Sequence, residues 1–434
     1  MRAVGTPQSL STRGFISSLE DAQREAARCL GCADAPCENE CPAGIPIPKV
    51  NLSILSGNIR RAAELVRTAN PAAHICGACC PQEQFCQSVC IRAAIDTPLD
   101  IRGLHWFATD WEWKYHPRHP EIPDPGDRKV AIIGGGPTGI ACAVGLGRRQ
   151  IRAHIFEKGP EAGGLPAWAI PDDRLPSDIT RRDIYNLTQY PITINVGQEL
   201  TSLKELRKQY DAILVSVGAL QESALEVTGL EGPGVYNGLD FLRIAKLTPD
   251  KVVIRGPVRI IGGGNVAVDC ALVASALGAN RISVIYRRSR AELPAWNREV
   301  NEAFDRGVDF LFQLQPLAVE REGDLIYRLI CRRTTLGLPG EDGRREPIPL
   351  PSESISLETG MVIIAAGQKP QHFEEDLLDR DQQGNIIIDD AHQTNLPGVY
   401  AGGDTTGKCG TVVQAVQAGL NIAESITNDL KNMQ

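Results

Sequence analysis

One pattern occurs twice in this chain: a short apolar run, a glycine-rich turn, then an apolar stretch with helical spacing. The run at 129–133 leads into Gly134-x-Gly136-Pro137-x-Gly139, and the run at 258–261 leads into Gly262-x-Gly264-Asn265-Val266-Ala267. A lone G-x-G-x-x-G is a weak signal, because glycine turns are common. Here each turn follows a strand pattern and opens a helix pattern, at 140–147 and 268–277. Backbone N–H groups at such a helix start can receive a pyrophosphate. The chain therefore reads as two parallel α/β units, each built to hold a dinucleotide.

The two sites differ at the end of the next strand. After the first turn the strand at 154–156 ends in Glu157, a carboxylate that can accept hydrogen bonds from ribose hydroxyls. That suits an unphosphorylated adenosine ribose, as in FAD or NAD. After the second, the strand at 282–286 ends in Arg287 and Arg288, with Arg290 close by. A guanidinium binds a 2′-phosphate where a carboxylate would repel it, which favours NADPH over NADH. The plainer alternative is a solvated strand end.

Composition sets the class. Apolar residues are 42% and charged residues 23% of the 434, as in ordinary globular chains. The net charge of −8 leaves no basic surface for nucleic acid. No stretch has the eighteen or so uninterrupted apolar residues of a membrane span, and no apolar segment marks the start as a secretory signal. A cytoplasmic location with no nucleic-acid or membrane partner is expected.

Nine of the thirteen cysteines lie between Cys29 and Cys90. In a reducing compartment such clustering points to metal rather than disulfides. The first block is Cys29-x2-Cys32-x4-Cys37-x3-Cys41-Pro42 and the second Cys76-x2-Cys79-Cys80-x5-Cys86-x3-Cys90. Four such thiolates can hold zinc or an iron-sulfur cluster. Two blocks provide enough sulfur for two clusters, and beside a flavin domain zinc has no evident task. This region reads as helical: Ser17-x-x-Glu20 suggests a capping box before a helix at 21–28, a second helix starts after 46–48, and a third spans 58–68. Four prolines within 116–127 mark a linker and a domain boundary.

At 28–37, Cys80-Pro81-x4-Cys86-x3-Cys90 and 94–110, the chain resembles the N-terminal half of dihydropyrimidine dehydrogenase and its separate bacterial electron-transfer subunit. The likeness continues through 170–176 and 411–416, so it covers essentially the whole chain. Glutamate synthase small subunits and electron-bifurcating ferredoxin:NADP oxidoreductase subunits share the plan, the former with a less similar second cysteine block.

The resemblance implies a multidomain protein. An α-helical, ferredoxin-like domain at 1–127 would carry two [4Fe-4S] clusters. Rossmann-like domains would follow: an FAD domain at 128–238 and 359–434, with an NADP(H) domain at 239–358 inserted into it. The segment 398–404 and the helical stretch 412–430 look like the second FAD signature of such flavoproteins, and 210–219 and 362–368 like their interdomain crossings. FAD would be held by Gly134, Gly136, Pro137, Gly139, Glu157, Gly164, Leu165, Arg174, Gly403, Asp404, Thr411 and Val412. NADP(H) would be held by Gly262, Gly264, Asn265, Val266, Ala267, Arg287 and Arg288.

The implied ligation is crossed. One cluster takes Cys29, Cys32, Cys37 and Cys90; the other takes Cys41, Cys80, Cys86 and a residue that is glutamine in dihydropyrimidine dehydrogenases and His105 here. The rival for His105 is a histidine packed among Trp106, Phe107, Trp111 and Trp113. Cys76 and Cys79 are left over; Cys142, Cys270, Cys331 and Cys409 carry no assigned chemistry.

The expected activity is hydride transfer from NADPH to FAD, then single electrons through two clusters to a separate subunit. By resemblance that subunit contains FMN and iron-sulfur and reduces uracil or thymine, in a hetero-oligomer. Little chain follows the helix at 412–430, so a second active site is not expected in it. Glutamate synthase or a bifurcating oxidoreductase is the runner-up. A thioredoxin-reductase-like enzyme would need a redox C-x-x-C near the nicotinamide domain, where Cys270 and Cys331 are single residues.

Overall fold

A computed structural model describes residues 15–116, 124–200, 202–340, 343–371 and 377–432. Most of the proline-rich linker, 117–123, lies outside them. The described residues form two compact units. The first runs to Ala167 and continues through Asp173–Ala219 and onward from Pro370; the second comprises Trp168–Asp172 and Leu220–Lys369.

The first unit opens with helices Leu19–Ala26, Pro36–Asn39, Ile47–Leu55, Ile59–Ala69, Ala73–Cys79 and Ile101–Tyr115, and no strand is found among its described residues before 129. Ser18, not Ser17, caps the first helix: its side chain accepts from the Asp21 N–H at 3.0 Å. Ser17 and Ser18 are both competent caps, so sequence alone misplaces the start by one residue. Asn58 caps the helix at Ile59 and Asp100 that at Ile101 through the same kind of bond. Ile47, Val50, Ile54, Ile59, Ala62, Val66, Leu104 and Ala108 form the helical core, against which Cys29, Cys37, Cys41 and Cys90 pack. Gly77 lets helix Ala73–Cys79 press on helix Ile101–Tyr115, since a Cβ there would sit 3.1 Å from the Trp106 Cα.

The same unit holds a parallel sheet in the order Val399–Ala401, Ala212–Val215, Lys129–Ile133, Arg152–Glu157, Ile192–Val196. Its central strands are buried, as parallel strands covered on both faces must be. Helix Pro137–Gly147 follows the first turn, and helix Val412–Asn432 lies against it closely enough that a Cβ on Gly419 would stand 2.3 Å from the Thr138 carbonyl oxygen.

Polar contacts, those of Asp183 buried, bind the helical segment to the helices that flank this sheet. Asp183, on helix Ser177–Leu187, accepts from the backbone N–H of Ile75 at 2.9 Å and of His74 at 3.3 Å, and its Oδ1 is 2.8 Å from His74 Nδ1. Arg148 donates to the carbonyls of Thr68 and Arg67, and Arg182 pairs with Asp110 at 2.7 Å.

The second unit carries its own parallel sheet, ordered Val235–Asn237, Met361–Ile364, Val258–Ile261, Ile282–Tyr286, Asp309–Phe312. Strands Leu314–Glu322, Leu325–Pro339 and Arg345–Glu358 add an antiparallel sheet that the alternating α/β pattern does not announce. The expected boundaries at 238 and 359 therefore move outward. Strand Met361–Ile364 hydrogen-bonds to Val258–Ile261 and Val235–Asn237, so the second sheet claims residues assigned to the FAD domain. A short apolar strand ending in glycine reads alike in either sheet. Among the described residues no helix is long and apolar enough to cross a membrane.

Asp183 is 1% exposed and answers three donors. Asp183→Ala leaves them buried and unpaired, at a cost of about 3 kcal/mol or more. Thermal unfolding followed by circular dichroism should show the first transition several degrees lower; a variant that melts with the parent would show that this carboxylate does not hold the helix start.

Candidate functional site

Cys29, Cys32, Cys37 and Cys90 line one cavity. Helix Leu19–Ala26 delivers Cys29, whose N–H donates to the Ala26 carbonyl at 3.1 Å. The Cys90 segment is tied to it by Arg28, which bonds Glu25, Asp96 and the Thr97 hydroxyl, while Arg92 also grips Asp96 at 2.7 Å. Arg92 and Arg28 hold the Asp96 carboxyl well below its ordinary range. Residues far apart in sequence thus reach one space. Burial, with Cys29 and Cys90 beside it, pushes the Cys37 thiol up to about 11. An uncompensated thiolate is unfavourable there, and a cationic cluster core would relieve it.

Cys41, Cys80 and Cys86 line a second cavity, together with Cys76 and His105. His105 is 8% exposed, and burial holds its imidazole down to about 4, so the ring is neutral. Its Nε2 has no hydrogen-bond partner among the described residues. A neutral imidazole with a buried, unpartnered nitrogen, on a residue that lines a thiol-bearing space, meets what a metal ligand requires. Trp106 and Phe107 are buried alongside it, so histidine packing and access to the cavity coexist. Of the two leftover thiols, Cys76 reaches the cavity, and Cys79 is not among the residues lining it.

Among the described residues no group of three or more His, Cys, Asp or Glu side chains could hold one metal ion. The sulfurs ring spaces instead. A tetrahedral zinc would draw four sulfurs to about 2.3 Å from one point. A ring around a space suits a cube ligated at its corners. The donor chemistry and the unpartnered His105 nitrogen fit such clusters.

At the first glycine turn, Gly134 has φ +102°, and a Cβ on it would meet the Ser216 carbonyl oxygen at 2.4 Å. Glu157 is pinned against the turn, accepting from the Gly135 N–H at 2.9 Å and the Gly159 N–H at 2.7 Å. Gly163 and Gly164 fold back over it: the Gly163 N–H donates to the Gly135 carbonyl at 2.8 Å, and a Cβ on Gly164 would lie 2.9 Å from the Gly136 Cα. Leu165 then opens a short helix, and Arg174 lies half-buried ahead of helix Ser177–Leu187. Gly403 meets Thr138 of the turn's own helix, burial pushes the Asp404 carboxyl up to about 6, and Thr411 caps the helix that begins at Val412. These groups converge on one end of the first sheet. Ser216, whose hydroxyl donates to the Ile133 and Gly134 carbonyls, also shapes the turn and has no sequence signature.

The second turn repeats the design. A Cβ on Gly262 would meet the Ala365 carbonyl oxygen at 2.1 Å, Gly263 lies against the Tyr286 ring, and beside Gly264 the space is open. Asn265 Oδ1 accepts from the Trp296 N–H at 2.9 Å, Val266 approaches Gly238, and Ala267 is buried at the helix start. The arginines separate in role. Arg287 is exposed, whereas Arg288 is buried and its Nε donates to the Arg345 carbonyl at 2.7 Å. Arg290, also exposed, lies over the Phe304 ring at 5.1 Å.

Two dinucleotide turns and a helical segment with thiol-ringed cavities define an NAD(P)H-dependent FAD oxidoreductase with a 4Fe-4S domain. Residues 128–419 match the pyridine nucleotide-disulphide oxidoreductase family, and residues 11–117 match the 4Fe-4S domain II of dihydropyrimidine dehydrogenase. The chain belongs to the pyridine nucleotide-disulphide oxidoreductase family.

It is 36% identical to the NADP(+)-dependent formate dehydrogenase subunit beta of Moorella thermoacetica over 92% of this chain. It spans 60% of that protein's length. It is 35% identical to the NAD-dependent dihydropyrimidine dehydrogenase subunit PreT of Escherichia coli K12, over 97% of this chain and 96% of PreT. Against the glutamate synthase [NADPH] small chain of the same organism it is 32% identical, over 94% of this chain and 92% of the relative. In fold it is similar to Mycobacterium tuberculosis FprA in complex with NADPH, with a TM-score of 0.62 and 18% identity over 70% of this chain and 85% of FprA.

Proposed function

We propose that this chain is an electron-input subunit: hydride passes from NADPH to FAD, and single electrons pass through two [4Fe-4S] clusters to a partner subunit. The observation that carries the reading is the place of Val413. It stands in the first turn of helix Val412–Asn432, the helix expected to face the flavin, and it lines the second cysteine cavity. The FAD-type turn and the thiol rings are parts of one compact unit.

In this reading Gly134, Gly136, Pro137 and Gly139 receive the FAD pyrophosphate, Glu157 its ribose, and Asp404, Thr411 and Val412 the flavin side. Gly164, Leu165 and Arg174 close over it. Bound FAD exchanges two electrons with a nicotinamide and single electrons with iron-sulfur centres. Gly262, Gly264, Asn265, Val266 and Ala267 form the NADP(H) turn, with Arg287 at the 2′-phosphate. Cys29, Cys32, Cys37 and Cys90 ligate the first cluster; Cys41, Cys80, Cys86 and His105 ligate the second. Cys37 neighbours both Cys29 and Cys86, so the rings adjoin. Leu30 and Ile91 line the first cavity and are exposed, so electrons leave there.

The partner is best matched by an FMN- and iron-sulfur-containing subunit that reduces uracil or thymine, because PreT is similar over nearly its full length. The runner-up is glutamate synthase, whose small chain is similar over a comparable span. Purification from the native source under anaerobic conditions, with any bound subunit, tests this. NADPH-driven reduction of uracil supports the proposal, glutamate formation replaces the partner, and stoichiometric zinc without flavin would end the electron-transfer reading.

Two variants examine the sites. Arg287→Glu should lower kcat/KM for NADPH with an artificial acceptor by tenfold or so while sparing NADH, about 1.4 kcal/mol of lost phosphate binding; an unchanged coenzyme ratio would count against Arg287. His105→Ala should alter the EPR spectrum and midpoint potential of one cluster. Because Cys76 lines the same cavity and can supply a thiolate, the Cys76→Ala/His105→Ala pair is measured beside it. Both clusters unchanged in both proteins would remove the imidazole from the ligand set.

A further inference from the structure

Each thiol-lined cavity has one buried asparagine in its wall: the Asn51 amide nitrogen has no hydrogen-bond partner among the described residues, and that of Asn70 is turned to the Cys76 sulfur. Asn51, 1% exposed, lies on helix Ile47–Leu55 and lines the first cavity with both side-chain atoms unpartnered. Asn70, also 1% exposed, ends helix Ile59–Ala69 and lines the second. Its Oδ1 accepts from the Ala72 N–H at 2.9 Å, which fixes the amide and leaves Nδ2 beside Cys76 at the cavity wall.

Leaving such donors buried and unsatisfied is unfavourable, and interior polar groups in folded proteins nearly always have partners. Asn51 is surrounded by Ile47, Val50 and Ile54, a core in which an aliphatic side chain would pack without that penalty. An acceptor must therefore occupy each cavity. Apart from Gln82 in the second cavity, whose amide is already paired with Asp100 and the Arg102 N–H, the side-chain acceptors brought together in these spaces are sulfurs.

We infer that Asn51 and Asn70 are built-in N–H donors to the sulfurs of the first and second clusters, one asparagine for each. The inference rests on the cluster reading given above. An N–H···S bond strengthens as the cluster gains an electron, so each donor stabilises the reduced state and raises the potential. Asparagine can do this without adding charge, and its short side chain, anchored at a helix, cannot swing away. At the second cavity Arg102 Nε is a further unpartnered N–H. Asn51 and Asn70 are thus positioning residues that set potentials and are not ligands.

The test is an EPR-monitored redox titration of the anaerobic FAD- and cluster-loaded protein, with iron and sulfide assayed. Asn51→Leu should move the midpoint of the first cluster to lower potential and leave the second alone, and Asn70→Leu should do the reverse. Full iron content with both midpoints at parental values would overturn the inference while leaving the clusters in place. Where a variant loses its cluster, the wild-type protein labelled with ¹⁵N in the asparagine side-chain amide answers instead. A ¹⁵N coupling to each reduced cluster is expected, and its absence overturns the inference. No iron-sulfur signal in the wild-type protein would sink the cluster reading itself.

Discussion

The helical segment is built around two spaces that its own side chains do not fill. Alanines, valines and isoleucines pack its helices together, yet thiols converge where a core would ordinarily close. Such an interior is unfavourable alone: buried thiols resist ionisation, and the His105 and Asn51 nitrogens are left without partners. A cluster bound in each space supplies what is missing at once, as positive charge for the sulfurs and as acceptor for the amides. Ligand binding and folding are then one process. The Arg28–Asp96–Arg92 contacts and the Asp183 carboxylate hold the far-apart cysteine segments and helix starts together.

The same economy of space governs the dinucleotide turns. Gly134 and Gly262 adopt positive φ with a neighbouring carbonyl oxygen where a side chain would begin, so no other residue fits either place without moving a strand. Gly419 does the corresponding task where two helices cross, and it is this close crossing that carries Val413 to the wall of the second thiol ring. One helix therefore has its start on the side proposed for the flavin and its first turn against the cysteines.

Much of this was legible in the sequence, because glycine spacing and cysteine spacing record backbone and ligand geometry directly. The strands at 129–133 and 258–261 belong to that class; spacing showed only that the cysteines fall in two blocks, and their crossed grouping came from the family resemblance. What was hidden depends on tertiary partners. Ser17 and Ser18 cannot be ranked as caps until the chain is folded. Strand Met361–Ile364 joins the second sheet through ladders with residues about a hundred positions away. Arg288 reads like Arg287, and only the antiparallel sheet, whose Arg345 carbonyl takes its Nε, shows that Arg288 is buried structure. Asn51 left a faint signal, a polar residue on a helical face otherwise made of Ile47, Val50 and Ile54. Cys76 left an ambiguous one, since nine cysteines exceed what the crossed ligation uses.

The two rings also differ in charge. Four cysteines and Arg92 line the first space; the second has three of the assigned cysteines, a neutral imidazole and Arg102. Replacing one anionic ligand by a neutral one favours the reduced state. On the proposed ligation the second cluster is therefore the easier to reduce, and it is the one beside Val413 and the flavin side. In that arrangement an electron accepted there would cross to the first ring past Cys86 and Cys37, which are neighbours. That crossing is uphill unless the first cluster has its own source of stabilisation. The Asn51 amide, buried in a ring that holds no imidazole, is placed to provide part of it.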